Sequence, residues 1–156
     1  MEQTLFYSSA KLLVLLHMAA AIVTIGASTH HSLITVGYLR GRYKVRLGRI
    51  YAATAVVAYS ATVLLGCLAY PTYRYYVRGL YFDRYAVWAS NLFDIKENFA
   101  TIGWPLALGA FVLSRVMDPK ADRPLLAGYA MMVFWATSIV WFNAVSGVLL
   151  TLAKGV

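Results

Sequence analysis

Leu12 to Val36 reads LLVLLHMAAAIVTIGASTHHSLITV. A bilayer-spanning helix needs about 20 mostly apolar residues to cross ~30 Å of hydrocarbon, and this run meets that length. All three histidines of the chain, His17, His30 and His31, lie within it. In a helix His17 and His31 share a face roughly 21 Å apart along the axis, while His30 points well away. Between them the same face carries Ala21, Thr24 and Ser28, small side chains that outline a shallow trough.

A trough with an imidazole near each membrane surface suits two haems stacked across a bilayer, because haem iron takes an axial imidazole and the macrocycle needs room beside the helix. The spacing resembles that of the haem-bearing helices of the cytochrome b family. Those proteins set histidines on two facing helices. Here one helix holds them all, so a second ligand must come from another subunit or from a different side chain. The competing reading is a packing seam, since small residues at helical spacing also mark helix contacts in membranes. Intramembrane ionisable groups are functional candidates by default, which favours a role for His17. His30 alone reads as structural or interfacial.

The remainder of the chain agrees with a membrane protein. Of 156 residues, 61% are hydrophobic and 13% charged, and the mean hydropathy is +0.65. The net charge of +8 does not point to nucleic acid, because the cations sit in short loops between apolar runs. The fold expected is an all-α integral membrane protein: one domain over 1–156, a bundle of four transmembrane helices. The spans are expected at about 11–37, 50–70, 98–117 and 125–152, with an interfacial amphipathic segment at 72–97. Cys67 is the only cysteine, so there is no intrachain disulfide and no Cys-x-x-Cys-His site for covalent haem. No basic region precedes a short apolar core, so a cleavable signal is not expected and the first span directs insertion.

The loop Arg40-Gly-Arg-Tyr-Lys-Val-Arg-Leu-Gly-Arg49 holds five basic residues and no acid. Short loops this basic stay cytoplasmic, which puts both termini on the outer side, as expected for a bacterial inner (cytoplasmic) membrane. Gly41 and Gly48 are expected to turn the chain. Ala52, Ala53, Ala55, Ala58 and Ala61 favour close helix packing in span two, and Pro71 is expected to end it. Residues 72–97 mix charge with Tyr and Trp, as segments at headgroup level do; Tyr81, Tyr85, Trp88 and Leu92 recur at helical spacing. Pro105 is expected to kink span three. The turn Asp118 to Pro124 leads to span four.

Lys96 and Glu97 open span three on the same side as His17. A lysine there can snorkel to the headgroups, or complete a site with His17 as axial ligand, propionate partner or proton carrier. Ligation needs a neutral amine, hence desolvation. Leu16-His17 in the first span, the basic loop after it, the Ala- and Leu-rich second span and Lys96 at the start of the third resemble the HemJ-type protoporphyrinogen oxidases and related CopD-like four-helix haem membrane proteins. The resemblance implies that His17 and Lys96 are the important pair. The sequence around Lys96 departs from the family pattern, and His30-His31 has no counterpart, so the likeness supports haem more than porphyrinogen oxidation.

The candidate cofactor residues are therefore His17, His31, Lys96 and, outlying, His30. His17 and His31 are the expected iron ligands of haem b. Met131 and Met132 read as packing. Arg40, Arg42 and Arg115 serve orientation or propionates. No phosphate loop, zinc spacing, nucleophile triad or paired acids appears. The function expected is a b-type cytochrome-like redox protein, a membrane oxidoreductase or electron-transfer subunit. It exchanges electrons with a quinone or partner subunit and is held in the bilayer as a homo-oligomer or with other membrane chains. The alternative is a non-catalytic structural subunit of a respiratory or photosynthetic complex. An ion or proton carrier ranks last, since such sites lie near the midplane, where ionisable groups are scarce.

Overall fold

Four long helices account for nearly all of the chain in the computed structural model, which describes residues 5–154. A 3₁₀ turn, Tyr7–Ser9, leads into α1 (Ala10–Leu39); α2 (Val45–Tyr73), α3 (Val87–Val116) and α4 (Arg123–Ala153) follow. No strand occurs among the described residues. Each of the segments Tyr7–Leu39, Val45–Tyr85, Val87–Val116 and Arg123–Ala153 is long and apolar enough to cross a membrane. Apolar side chains cover both the inside and the outside: Val57 and Ile22 are each 67% exposed. Helices that are apolar all round belong to membrane spans or large cores.

The turns follow from local chemistry. α1 ends in a Schellman motif, with the Arg42 N–H donating to the Gly37 carbonyl (2.8 Å) and the Gly41 N–H to the Tyr38 carbonyl (3.0 Å). Gly41 sits at φ +78, the left-handed cap position that glycine fills without strain. Gly48, by contrast, lies inside α2 and turns nothing. It admits the ring of Tyr38, whose Cζ would stand 3.0 Å from a Cβ at 48. Between α3 and α4 the Asp118 carboxylate accepts the Lys120 N–H (3.0 Å) and the Asp122 carboxylate accepts the Asp118 N–H (2.9 Å). Pro124 then occupies the first turn of α4, where its missing donor costs nothing.

α1 packs on α2 and α4, and α3 packs on the same two, so α1 and α3 stand diagonally across a square. Neighbours are antiparallel, as their short connections require. The inner faces are rich in small residues: Ala27, Ala52, Ala55, Ala58, Ala110, Ala130 and Ala136 are all buried. Larger residues close the two ends. Tyr38, Met117, Leu126, Tyr129 and Val133 plug the end with the two loops 40–44 and 117–122. Val77, Phe82, Phe93 and Leu150 plug the other.

The segment 72–97 departs from expectation. Pro71 does not end α2 but lies within it. Beyond Tyr73 the helix widens into a π-helical run, Arg74–Phe82, then a last turn, Asp83–Tyr85. π geometry and proline-freed carbonyls go together where neighbouring groups re-satisfy the backbone. The chain breaks only at Ala86 (φ −147, ψ 58), and α3 starts at Val87 rather than 98. Three of the charges in this segment, Arg78, Asp83 and Asp94, come together between the helices. Arg78 donates to both carboxylate oxygens of Asp94 (2.6 and 2.8 Å) and lies 3.8 Å from Asp83, which also accepts from Ser90.

A two-pronged pair of this kind is worth about 1 kcal/mol when half exposed. Arg78→Gln and Asp94→Asn should each lower stability by about that much, and the double variant should cost little more than either. A double-mutant cycle from denaturant unfolding in detergent checks this; simple additivity would show that the pair is not coupled.

Candidate functional site

The inner face of α1 is a polar file set among alanines: His17, Thr24, Ser28, His31, Thr35 and Tyr38. All but His17 are buried, and His17 is half-buried. The 3.6-residue spacing read from the sequence selects this face.

At the level of His17, the Nδ1–H donates to the Thr62 backbone carbonyl of α2, 2.8 Å away. A carbonyl only accepts, so Nδ1 must carry the proton and Nε2 keeps its lone pair. Among the described residues nothing bonds that nitrogen. A second group fixing the tautomer and ring orientation is the usual support of a metal-binding imidazole. The ring lies against Gly66, where a Cβ would meet Cε1 at 3.2 Å.

Lys96 enters the same level from the diagonal helix. It falls on the inward face of α3 with Phe93, Gly103 and Ala110, all buried. Its Nζ lies 5.8 Å from the centre of the Phe93 ring. Its Cε faces Gly147 of α4, 3.7 Å from where a Cβ would be. Among the described residues no carboxylate lies within 4 Å of the ammonium, Glu97 included. Lys96 is near enough for its charge to act on the His17 ring. One turn along α4, Asn143 donates to the Ile139 carbonyl (2.9 Å) while its buried Oδ1 has no partner among the described residues. Among the described residues the layer thus holds an imidazole with a free nitrogen, an unpaired ammonium, an orphaned amide oxygen and two glycines against which the His17 ring and the Lys96 stem pack.

His31 belongs to a different layer. Its Nε2 is hydrogen-bonded to the Tyr129 hydroxyl of α4 at 2.5 Å, and Tyr129 is fully buried. The trough between the two histidines is closed. Thr24 meets Thr62 (3.0 Å), Thr137 donates to the Ser28 carbonyl (3.2 Å), and Ser32 donates to Thr137 (2.8 Å). What remains beside Thr24, Ser28, His31, Tyr59 and Thr137 is a cavity of about 10 Å³, room for one water. His30 is exposed, as its position predicts. It bonds the Gly26 carbonyl (2.8 Å) and stacks on Tyr51 with ring centres 5.2 Å apart.

Of the four candidates, the structure brings His17 and Lys96 to one level and separates His31 and His30 from them. The chain matches no protein-family model, no curated protein and no solved structure. The geometry therefore speaks alone. Thr62 and Gly66 escaped the sequence reading, although a signal existed. Folding the chain back at loop 40–44 sets position 17 opposite 62–66.

Proposed function

We propose that this chain is an integral membrane haem-binding redox protein with one site, at the His17–Lys96 layer. The observation that carries the reading is the His17 ring, its tautomer fixed by the Thr62 carbonyl and its Nε2 left unbonded. His17 would hold a b-type haem as axial imidazole. Lys96 would stand by as second ligand or propionate partner, with Asn143 as a further polar contact. A haem bound there supplies reversible one-electron iron chemistry, exchanged with a quinone or a partner subunit. The same arrangement agrees with the HemJ- and CopD-like resemblance, in which a first-span histidine and a third-span lysine form the important pair.

In this reading the basic end with loops 40–44 and 117–122 faces the cytoplasm, and both termini and the haem layer lie towards the outer leaflet. The hairpin around Ala86 then sits at headgroup level. Tyr75, Tyr85 and Trp88 are 54%, 75% and 56% exposed there, as amphipathic rings at an interface are.

The closed packing beside His31 favours a second reading, a structural subunit of a larger membrane complex. Spectra separate the two. Protein purified in mild detergent and supplied with haemin should show a Soret band, with sharp α and β bands on reduction. His17→Ala should abolish them, Lys96→Gln should shift them, and His31→Ala and His30→Ala should leave them in place. A preparation that takes up no haemin overturns the haem reading and leaves the scaffold; a His17→Ala spectrum with the same bands as wild type overturns His17 as the ligand.

A further inference from the structure

Two cations at the two-loop end have work inside the fold. Arg49 donates to the carbonyls of Ser114 (3.0 Å) and Arg115 (3.4 Å), capping the end of α3, and Arg115 lies over the Phe111 ring at 4.8 Å. Lys44 and Arg46 do not. Both are exposed, and among the described residues neither has a carboxylate within 4 Å. The acids of that end, Asp118 and Asp122, are occupied with the backbone of their own turn.

Lys44 and Arg46 line an open depression of about 550 Å³ with Tyr43, Val45, Leu47 and Ile50. Lys120 reaches it from the other loop, its Nζ 5.9 Å from the centre of the Tyr43 ring. Below the cations the lining turns apolar, and that face continues down the outside of α2. Leu47, Ile50, Val57 and Leu64 are 40%, 51%, 67% and 65% exposed. Charge above and a mainly apolar strip below, interrupted by Thr54 with its hydroxyl turned back onto the Ile50 carbonyl, is the profile of one kind of molecule.

We propose that this depression seats the headgroup of an anionic phospholipid, with an acyl chain along the exposed face of α2. Lys44 and Arg46 pair with the phosphate, Lys120 adds a third positive charge, and Leu47 and Ile50 take the first methylenes. Orientation alone explains basic residues in this loop; it does not explain why Lys44 and Arg46 stand at the rim of a depression that leads onto a lipid-facing strip. The proposal rests on the membrane reading above and is independent of the haem.

Delipidated protein in detergent, titrated with phosphatidylglycerol or phosphatidylcholine and read by native mass spectrometry, tests it. Phosphatidylglycerol should be retained in preference, and Lys44→Gln/Arg46→Gln should weaken that retention roughly thirtyfold, the effect of removing two cations at the surface. Lys44→Arg should retain it. Arg84→Gln, at the opposite end, should change nothing. Equal retention of the two lipids, or an unaffected double variant, overturns the site. Displacement by equimolar inorganic phosphate overturns it too, and reassigns the cations to a free anion. Alkaline washing of membranes reads the underlying assumption separately. Release of the chain sinks the membrane reading itself, whereas a retained chain with equal lipid uptake sinks only the headgroup site.

Discussion

Replacing Tyr129 by Ala is expected to cost about 4 kcal/mol, in the range for emptying an aromatic site in a packed core. Tyr129 is 0% exposed, its ring centre stands 6.2 Å from that of Tyr38, and its hydroxyl is the partner of His31. The substitution leaves a void and strips a buried imidazole of its bond. Tyr129→Phe keeps the ring and removes only the hydroxyl. Hydrogen bonds between helices in membranes are worth about 0.6–2 kcal/mol, so it should cost about 1 kcal/mol. Unfolding followed by circular dichroism in detergent orders the three proteins. Equal losses for Ala and Phe would mean that the bond, and not the packed ring, holds this end together.

A side chain at Gly103 should be nearly as damaging, for the opposite reason. A Cβ there would approach Ile139 Cγ2 to 2.8 Å and Tyr59 Cζ to 3.2 Å. Neither neighbour can retreat easily. Ile139 is buried, and the Tyr59 hydroxyl donates to the Ala100 carbonyl at 3.3 Å. Overpacking costs typically ~1–3 kcal/mol and rises with size, so Gly103→Val should lie at the upper end and Gly103→Ala lower. Gly128→Ala is the matched control, because nothing lies within 4 Å of a Cβ there. A helical glycine exchanged for alanine in open space should gain about 0.5–1 kcal/mol. Thermal midpoints should therefore move in opposite directions; a tolerated Gly103→Val would mean that α2, α3 and α4 do not meet as closely as described.

The four helices were legible because apolar runs of spanning length leave few other solutions, and the basic loop marked the first turn. The helix ends around residues 72–97 were not legible, for two physical reasons. Proline removes one donor without obliging a helix to stop when its neighbours can absorb the loss. Charges near a helix end read as a segment at headgroup level until their partners are known, and Arg78 meets Asp94 only after the chain has doubled back. The site divides the same way. The inward turn of His17 follows from its spacing with Thr24, Ser28 and His31. The engagement of His31 does not, since its partner Tyr129 lies 98 positions on, on another helix.

The diagonal placement of α1 and α3 has a consequence for chemistry at the His17 level. The helices that own the imidazole and the amine pack mainly on the other two, so the separation of the two groups is set as in a caliper whose screw is held elsewhere. α2 and α4 are that screw, and at this level each presents a hydrogen atom where other residues have a methyl. The bite of the instrument can be reset from positions 66 and 147, without exchanging either of the groups that do the gripping.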